Sequence, residues 1–183
     1  MDHDNYSDAY IDGILRQVKT IAMVGASANI MRPSYFVLKY LIDKGFEVLP
    51  VNPGQVGKTI CGAKVYGHLG DLPAAPDMID IFRNSEAAGA VVDEAIAIGA
   101  TVIWMQLGVR NDAAAKRAEA AGLKVVMNRC PKIEYGRLSG EIGWMGVNSK
   151  TLSAKRPVRK QGFQHLALRP LKTEDVKTDQ ENE

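Results

Sequence analysis

The residues best suited to bind a ligand form a short glycine turn near the start of the chain. Gly25 is followed by Ala26 and Ser27, and Arg32 and Pro33 come shortly after them. Glycine permits a sharp turn, and small side chains let a phosphate approach backbone N–H groups at the start of a helix, where the dipole favours an anion. The guanidinium of Arg32 can pair with a phosphate through two hydrogen bonds, with a solvated helix-start arginine as the alternative.

The same stretch lacks the signature of a dinucleotide-binding turn. Such a fingerprint places glycines two and five positions after Gly25, and an acid at the end of the second strand. Those positions hold Ser27, Ile30 and Asn52. The sequence therefore predicts a phosphate-binding turn without the nicotinamide-type signature. An NAD(H)-responsive regulatory domain is an alternative, but the residues at these three positions argue against it.

Few residues outside this turn are suited to catalysis. The three histidines, His3, His68 and His165, lie near the termini or in a glycine-rich loop, so we expect them to be solvated. No zinc-spaced cysteine cluster, Walker A sequence or nucleophile elbow is present. Cys130 is the candidate nucleophile, although a cysteine beside a proline more often serves packing. Glu134 is the carboxylate to test with it.

Five short apolar runs alternate with helical patterns between residues 20 and 130. The predicted strands are 20–24, 47–51, 78–82, 101–105 and 124–127. The predicted helices are 8–19, a segment from Pro33 to a cap at Gly45, one from Asn84 or Ser85 to Gly99, and one from Asn111 to Gly122. Residues 54–70 are predicted to be a loop with a short strand at 64–66. The alternation predicts an α/β fold, a Rossmann-like doubly wound parallel sheet of about five strands in a single domain with a C-terminal tail.

In an open sheet of this kind the ligand binds beyond the carboxyl ends of the strands. The residues that follow the strands are therefore candidate site residues: Gly25, Ala26, Ser27, Asn52, Pro53, Arg83, Gln106 and Cys130. The guanidinium of Arg83 follows the third strand and can reach the crevice. The alternative for Arg83 is a strand-end cation that faces water.

Composition sets the broad class of the chain. It has 183 residues, 46% hydrophobic and 24% charged, with a net charge of +2, which is ordinary for a soluble globular protein. No signal sequence or membrane-spanning run is apparent, and Cys61 and Cys130 fit a reduced cytoplasmic protein better than a disulfide. Residues 149–183 are basic and then charged, which predicts a solvated, partly disordered extension or an arm that packs on a partner subunit or contacts an anion. The near-balanced charge and the absence of interleaved aromatic residues disfavour a nucleic-acid partner.

Several runs resemble the small, stand-alone bacterial and archaeal CoA-binding proteins over roughly residues 10–148. The runs are Gly25-Ala26-Ser27, Arg32-Pro33-Ser34-Tyr35, Pro50-Val51-Asn52-Pro53, Met105-Gln106-Leu107-Gly108-Val109-Arg110 and Asn128-Arg129-Cys130-Pro131-Lys132-Ile133-Glu134-Tyr135. The most specific of them is Arg-Cys-Pro-Lys-Ile-Glu at 129–134. These proteins are similar to the CoA-binding domain of the succinyl-CoA ligase alpha subunit, which has a five-stranded Rossmann-like sheet.

The resemblance implies coenzyme A or an acyl-CoA as the ligand and extends the set of site residues. It assigns nucleotide contacts to Ala26, Ser27, Ala28, Asn29, Asn52, Pro53, Met105 and Gln106. This chain departs from the ligase pattern at Gln55, where a lysine is expected. Lys58 can substitute from the loop, or phosphate binding can rest on Arg32 and Arg83.

The sequence therefore predicts a non-catalytic carrier or sensor of CoA or acyl-CoA, without a metal. The resemblance implies that a ligase of this type also needs a phosphohistidine domain and an ATP-grasp half, neither of which is apparent in this sequence, so we expect that the chain is not a ligase alone. An enzyme that uses CoA or a nucleotide through Cys130 or Glu134 is the alternative. A homodimer is the expected assembly, because two-fold dimers are the commonest oligomers.

Overall fold

The computed structural model describes residues 1–139, which contain five helices and seven strands. The helices are Asp8–Gln17 (α1), Pro33–Asp43 (α2), Ala88–Ala97 (α3), Asp112–Ala120 (α4) and Pro131–Ser139 (α5). The strands are Thr20–Val24 (β1), Glu47–Val51 (β2), Thr59–Ile60 (β3), Ala63–Lys64 (β4), Met78–Ile81 (β5), Val102–Met105 (β6) and Lys124–Val126 (β7). The predicted extension at 149–183, with His165, lies outside the described residues.

Five of the strands form one parallel sheet in the order β2-β1-β5-β6-β7. This confirms the predicted doubly wound, Rossmann-like sheet of five strands. Val24 pairs with Val51 on one side and with Ile81 on the other, so the carboxyl ends of the three strands are level. The chain leaves β1 for β2 and returns to β5 on the opposite side of β1. The strand order therefore reverses between β1 and β5, where an open sheet forms its binding crevice.

Helices cover both faces of the sheet, and each face has its own apolar core. Ile14 of α1 and Leu41 of α2 pack with Trp104 on one face. Val92 of α3 and Ala115 of α4 pack against the other face. A strand that is buried on both faces needs a nearly continuous run of apolar residues. For this reason the strand segments could be predicted from the sequence.

Two elements differ from the predicted pattern. The loop at 54–70 contains the hairpin of β3 and β4, whose two-residue turn has positive φ at both Cys61 (49°) and Gly62 (85°), as a type I′ turn requires. Of the predicted short strand at 64–66, Lys64 belongs to β4 and Tyr66 forms a parallel bridge with Val51. Helix α5 was not predicted. It begins at Pro131, which suits a first helical position because proline has no N–H to pair there.

The N-terminal segment covers the β7 edge of the sheet. The Tyr10 hydroxyl donates to the Val125 carbonyl oxygen at 3.2 Å and accepts from the Val125 N–H at 3.1 Å. The Tyr6 hydroxyl accepts from the Met127 N–H at 2.8 Å and lies 2.9 Å from Nδ1 of His3. The expectation that His3 is solvated is therefore wrong, because the segment packs along the strand. Across residues 1–139, no helix has both the length and the apolar character needed to span a membrane.

Candidate nucleotide-binding crevice

Gly25 lies at the reversal of strand order and is held there by its neighbours. Its N–H donates to the Val51 carbonyl oxygen at 2.9 Å, and its φ is +90°. A Cβ at this position would overlap the carbonyl oxygen of Phe82, which follows β5. Only glycine lets the backbone turn this tightly against the neighbouring strand, so the predicted need for Gly25 has a geometric basis.

The loop between β1 and α2 is shaped by its own polar side chains. The Asn29 N–H donates to Ser27 Oγ at 3.2 Å, and the Met31 N–H donates to Asn29 Oδ1 at 2.9 Å. The Ala26 side chain is fully buried, whereas Ala28 and Asn29 are exposed. The loop therefore has a preformed shape with an exposed backbone at its tip.

Asn52 joins this loop to the segment that follows β2. Its Nδ2 donates to the Ala26 carbonyl oxygen at 2.6 Å, and its Oδ1 accepts from the Gly54 N–H at 2.9 Å. Pro53 is exposed and begins a short 3-10 turn, Pro53–Gln55. Gln55 then reaches across, and its Oε1 accepts from the Ala28 N–H at 2.9 Å. Two side chains of the second loop thus bind the backbone of the first.

Two arginines border the crevice. Arg32 is exposed and occupies the N-cap position of α2, where its side chain makes no capping hydrogen bond, and Pro33 is the first helical residue. Arg83 is also exposed, and its Cδ lies close to Gly25. Within residues 1–139 neither guanidinium has a carboxylate or other hydrogen-bond partner. Arg117, by contrast, is paired with Asp93 at 2.8 Å. Two unpaired cations beside a helix N-terminus favour an anion there.

A buried polar pair lies beneath the crevice. Asp80 of β5 is fully buried, and its Oδ1 accepts from Gln106 Nε2 at 2.7 Å. Its Oδ2 has no hydrogen-bond partner among residues 1–139. Burial raises the pKa of Asp80 to about 8, so the carboxyl is predominantly protonated at neutral pH. The sequence analysis did not identify Asp80 as a residue of this region. The feature that could have indicated it is an acidic residue within the otherwise apolar run 78–81.

The remaining candidates from the sequence have buried side chains. Met105 is fully buried against α3 and α4, and the Gln106 side chain is directed at Asp80. Cys130 is 6% exposed, and burial raises the pKa of its thiol to about 11. The structure therefore brings the loops at 25–32 and 52–55 together with Arg83 at the surface, and places Met105, Gln106 and Cys130 below them.

Glu134 and possible metal ligands complete the inventory of reactive groups. Glu134 is 2% exposed, and its Oε2 accepts from Nη2 of Arg137 at 2.7 Å. This ion pair links two residues of α5 and leaves the carboxylate shielded from solvent. No group of three or more His, Cys, Asp and Glu side chains in the described part of the chain is arranged to hold a metal ion.

The parallel sheet and the glycine turn at its reversal point define the class of this protein, a Rossmann-like α/β domain. The family model described as "CoA binding domain" matches residues 19–136, and the chain belongs to that family. The resemblance read from the sequence is thereby confirmed.

Similar proteins come from bacteria and archaea. The uncharacterized protein YneT of Bacillus subtilis (strain 168) is 34% identical over 131 residues, which cover 72% of this chain and 96% of that protein. A hypothetical protein from Pyrococcus horikoshii OT3 has a solved structure that is 39% identical, with a TM-score of 0.71, and the match covers 75% of this chain and 95% of the other. A Thermus thermophilus structure is 35% identical with a TM-score of 0.69, over 73% of this chain and 99% of that one. The relatives thus consist almost entirely of this domain.

Proposed function

We propose that this protein binds coenzyme A or an acyl-CoA in the crevice between β1 and β5, as a carrier or sensor without catalysis of its own. The observation that carries the proposal is the glycine turn flanked by two arginines that lack partners within residues 1–139. Membership of the CoA-binding domain family supports CoA over other nucleotides. The binding domain is proposed to span residues 10–148.

The phosphates of the ligand are proposed to bind at the loop that follows β1. Within residues 1–139 the N–H groups of Ala26 and Ser27 donate no hydrogen bond. Backbone N–H groups at a helix N-terminus form a ready site for a phosphate, and Arg32 and Arg83 supply the opposite charge. Asn52 holds the loop in place for this contact.

The apolar part of the ligand has a matching surface. With the exception of Met1, the exposed large hydrophobic side chains of residues 1–139 belong to segments that follow β1, β2 or β6, and these segments leave the sheet at its carboxyl edge. They are Ile30, Met31, Phe36, Val56 and Leu107. Exposed apolar residues that gather in one region mark binding surfaces. They support the pantetheine arm, and an acyl group where one is present, as occupants of the crevice mouth.

The alternative functions draw less support. An enzyme that uses Cys130 or Glu134 would need a reactive thiolate or a free carboxylate. The Cys130 thiol is protonated at neutral pH, and Glu134 is paired with Arg137. An NAD(H)-responsive domain would need a residue free to bind ribose at the end of β2, where both polar atoms of the Asn52 side chain are engaged.

Thermal shift and native mass spectrometry test the proposal. The panel is CoA, acetyl-CoA, NAD, NADP and ATP, and we expect stabilisation by CoA or acetyl-CoA alone. Ligand at a hundredfold excess over Kd stabilises the native state by about 2.7 kcal/mol, which is readily detected. Native mass spectrometry would also report a retained CoA and the proposed homodimer. No response to any adenine nucleotide would refute the proposal, and the proposed cytoplasmic location needs a separate fractionation experiment.

Arginine variants locate the binding site. Removing a charge-assisted hydrogen bond costs about 1.5–3 kcal/mol, so Arg32→Ala and Arg83→Ala are each expected to weaken CoA binding by roughly tenfold or more. Arg117→Ala is the matched control, because Arg117 on α4 is paired with Asp93. Equal loss of binding in all three variants would argue against a phosphate site at the crevice.

A further inference from the structure

The Gln55 side chain accepts a hydrogen bond from a backbone N–H group of the proposed phosphate-binding loop. Its Oε1 accepts the Ala28 N–H at 2.9 Å, across 27 positions of sequence. The backbone around it is fixed on both sides, because the Gln55 N–H donates to the Asn52 carbonyl oxygen at 3.0 Å and the Lys58 N–H donates to the Gln55 carbonyl oxygen at 3.1 Å. The carboxamide is therefore positioned at the loop by the short turn that follows β2.

The position of this oxygen is the one that an anion would take. An N–H group has a single hydrogen to donate, so the Gln55 oxygen and a ligand oxygen cannot both use the Ala28 donor fully. A phosphate oxygen carries charge and is a stronger acceptor than a neutral carboxamide. Gln55 is half-buried and borders exposed residues on both sides, so its side chain has room to leave.

We infer that Gln55 is an internal competitor for the anion position at Ala28, and that a phosphate group of the ligand displaces it on binding. This inference rests on the proposed CoA-binding function and names a residue that sets its affinity. Without ligand, Gln55 satisfies the amide and keeps the loop in shape. With ligand, the side chain is released, so binding at the loop is coupled to the turn at 53–55.

Titration of the full chain with CoA by calorimetry tests this competition. Gln55→Ala removes the competing acceptor and is expected to tighten CoA binding about fivefold, the effect of one net hydrogen bond. Gln55→Glu keeps an acceptor but adds negative charge beside the phosphate, so it is expected to weaken binding at least fivefold. Gln17→Ala is the matched control, because Gln17 binds Lys124 near the opposite end of the sheet and should leave the Kd unchanged.

Amide hydrogen exchange at Ala28 provides a readout that needs no ligand. In the free protein, the Ala28 N–H is expected to exchange several-fold faster in Gln55→Ala than in the parent chain. Saturating CoA should protect it in both. If the parent chain binds CoA and Gln55→Ala binds equally or more weakly, the inference is overturned and the proposed function stands. If neither chain binds CoA, the proposed function falls and the displacement with it, even if exchange at Ala28 confirms the Gln55 contact.

Discussion

Replacing Asp80 by asparagine is expected to stabilise this protein at neutral pH. Asp80 pairs in register with Met23 on β1 and Trp104 on β6, so its carboxyl lies among fully buried apolar side chains. Burial removes water from the charged form and raises the pKa of Asp80 to about 8, and the hydrogen bond from Gln106 opposes this shift only in part. Asparagine has nearly the same shape, can accept the same hydrogen bond and never ionises.

The magnitude follows from proton linkage. The unfolded chain releases the Asp80 proton near pH 3.8 and the folded chain near pH 8, so between these values the native state binds more protons. Stability is therefore lost as pH rises, by about 1.4 kcal/mol for each unit. Between pH 3.8 and pH 7 the loss reaches about 4 kcal/mol, and Asp80→Asn avoids it. The variant and the parent should be nearly equal in stability at pH 4.

Urea unfolding at pH 4, 5.5 and 7 measures this difference. Asp77→Asn is a control of opposite sign. Burial acts to raise the pKa of Asp77, but hydrogen bonds from Thr20 and Lys19 prevail and lower it. Stability from Asp77 is present at neutral pH and lost as pH falls, so its asparagine variant should be less stable at pH 7. If Asp80→Asn gains nothing at pH 7 and its curve runs parallel to the parent curve, the carboxyl is ionised in the folded protein and the reasoning is refuted.

Three further predictions concern the turn, the sheet edge and the buried thiol. Gly25→Ala forces a side chain into a backbone contact at positive φ and should cost about 2 kcal/mol or more in urea unfolding, with unchanged stability as the contrary result. Tyr10→Phe leaves both backbone groups of Val125 without the hydroxyl, so we expect a loss of about 1–3 kcal/mol and faster exchange of the Val125 amide. In a Cys61→Ser background, a thiol reagent at pH 7 should label Cys130 only on unfolding, because the thiol is buried and protonated; prompt labelling of the native protein would contradict this.

The sequence predicted the main sheet well because its strands are buried on both faces. Runs such as 20–24 and 78–81 are continuous or nearly so in apolar residues, and glycine or proline marks their ends. Helix α5 was missed because its buried residues, Pro131, Glu134 and Gly136, form no apolar stripe. The hairpin of β3 and β4 was missed because two-residue strands are too short to show alternation.

The candidate site was predicted as a location but not as a set of contacts. Topology alone places Gly25, Asn52 and Arg83 at the same edge of the sheet. The hydrogen bonds from Ala28 to Gln55 and from Gln106 to Asp80 join residues more than 25 positions apart. Such pairs depend on the register of strands and the path of loops, which no local pattern specifies.

The end of β2 explains why the ribose-binding acid of a dinucleotide site is absent here. The Asn52 side chain must donate to the Ala26 carbonyl oxygen at 2.6 Å and accept from the Gly54 N–H at 2.9 Å. A carboxylate could accept from Gly54 but would place a second acceptor against the Ala26 oxygen, which is repulsive. A carboxylate at position 52 could therefore not hold the glycine turn in place as Asn52 does. The hydrogen bonds that shape the proposed phosphate-binding loop thus disfavour a ribose-binding acid at the end of β2.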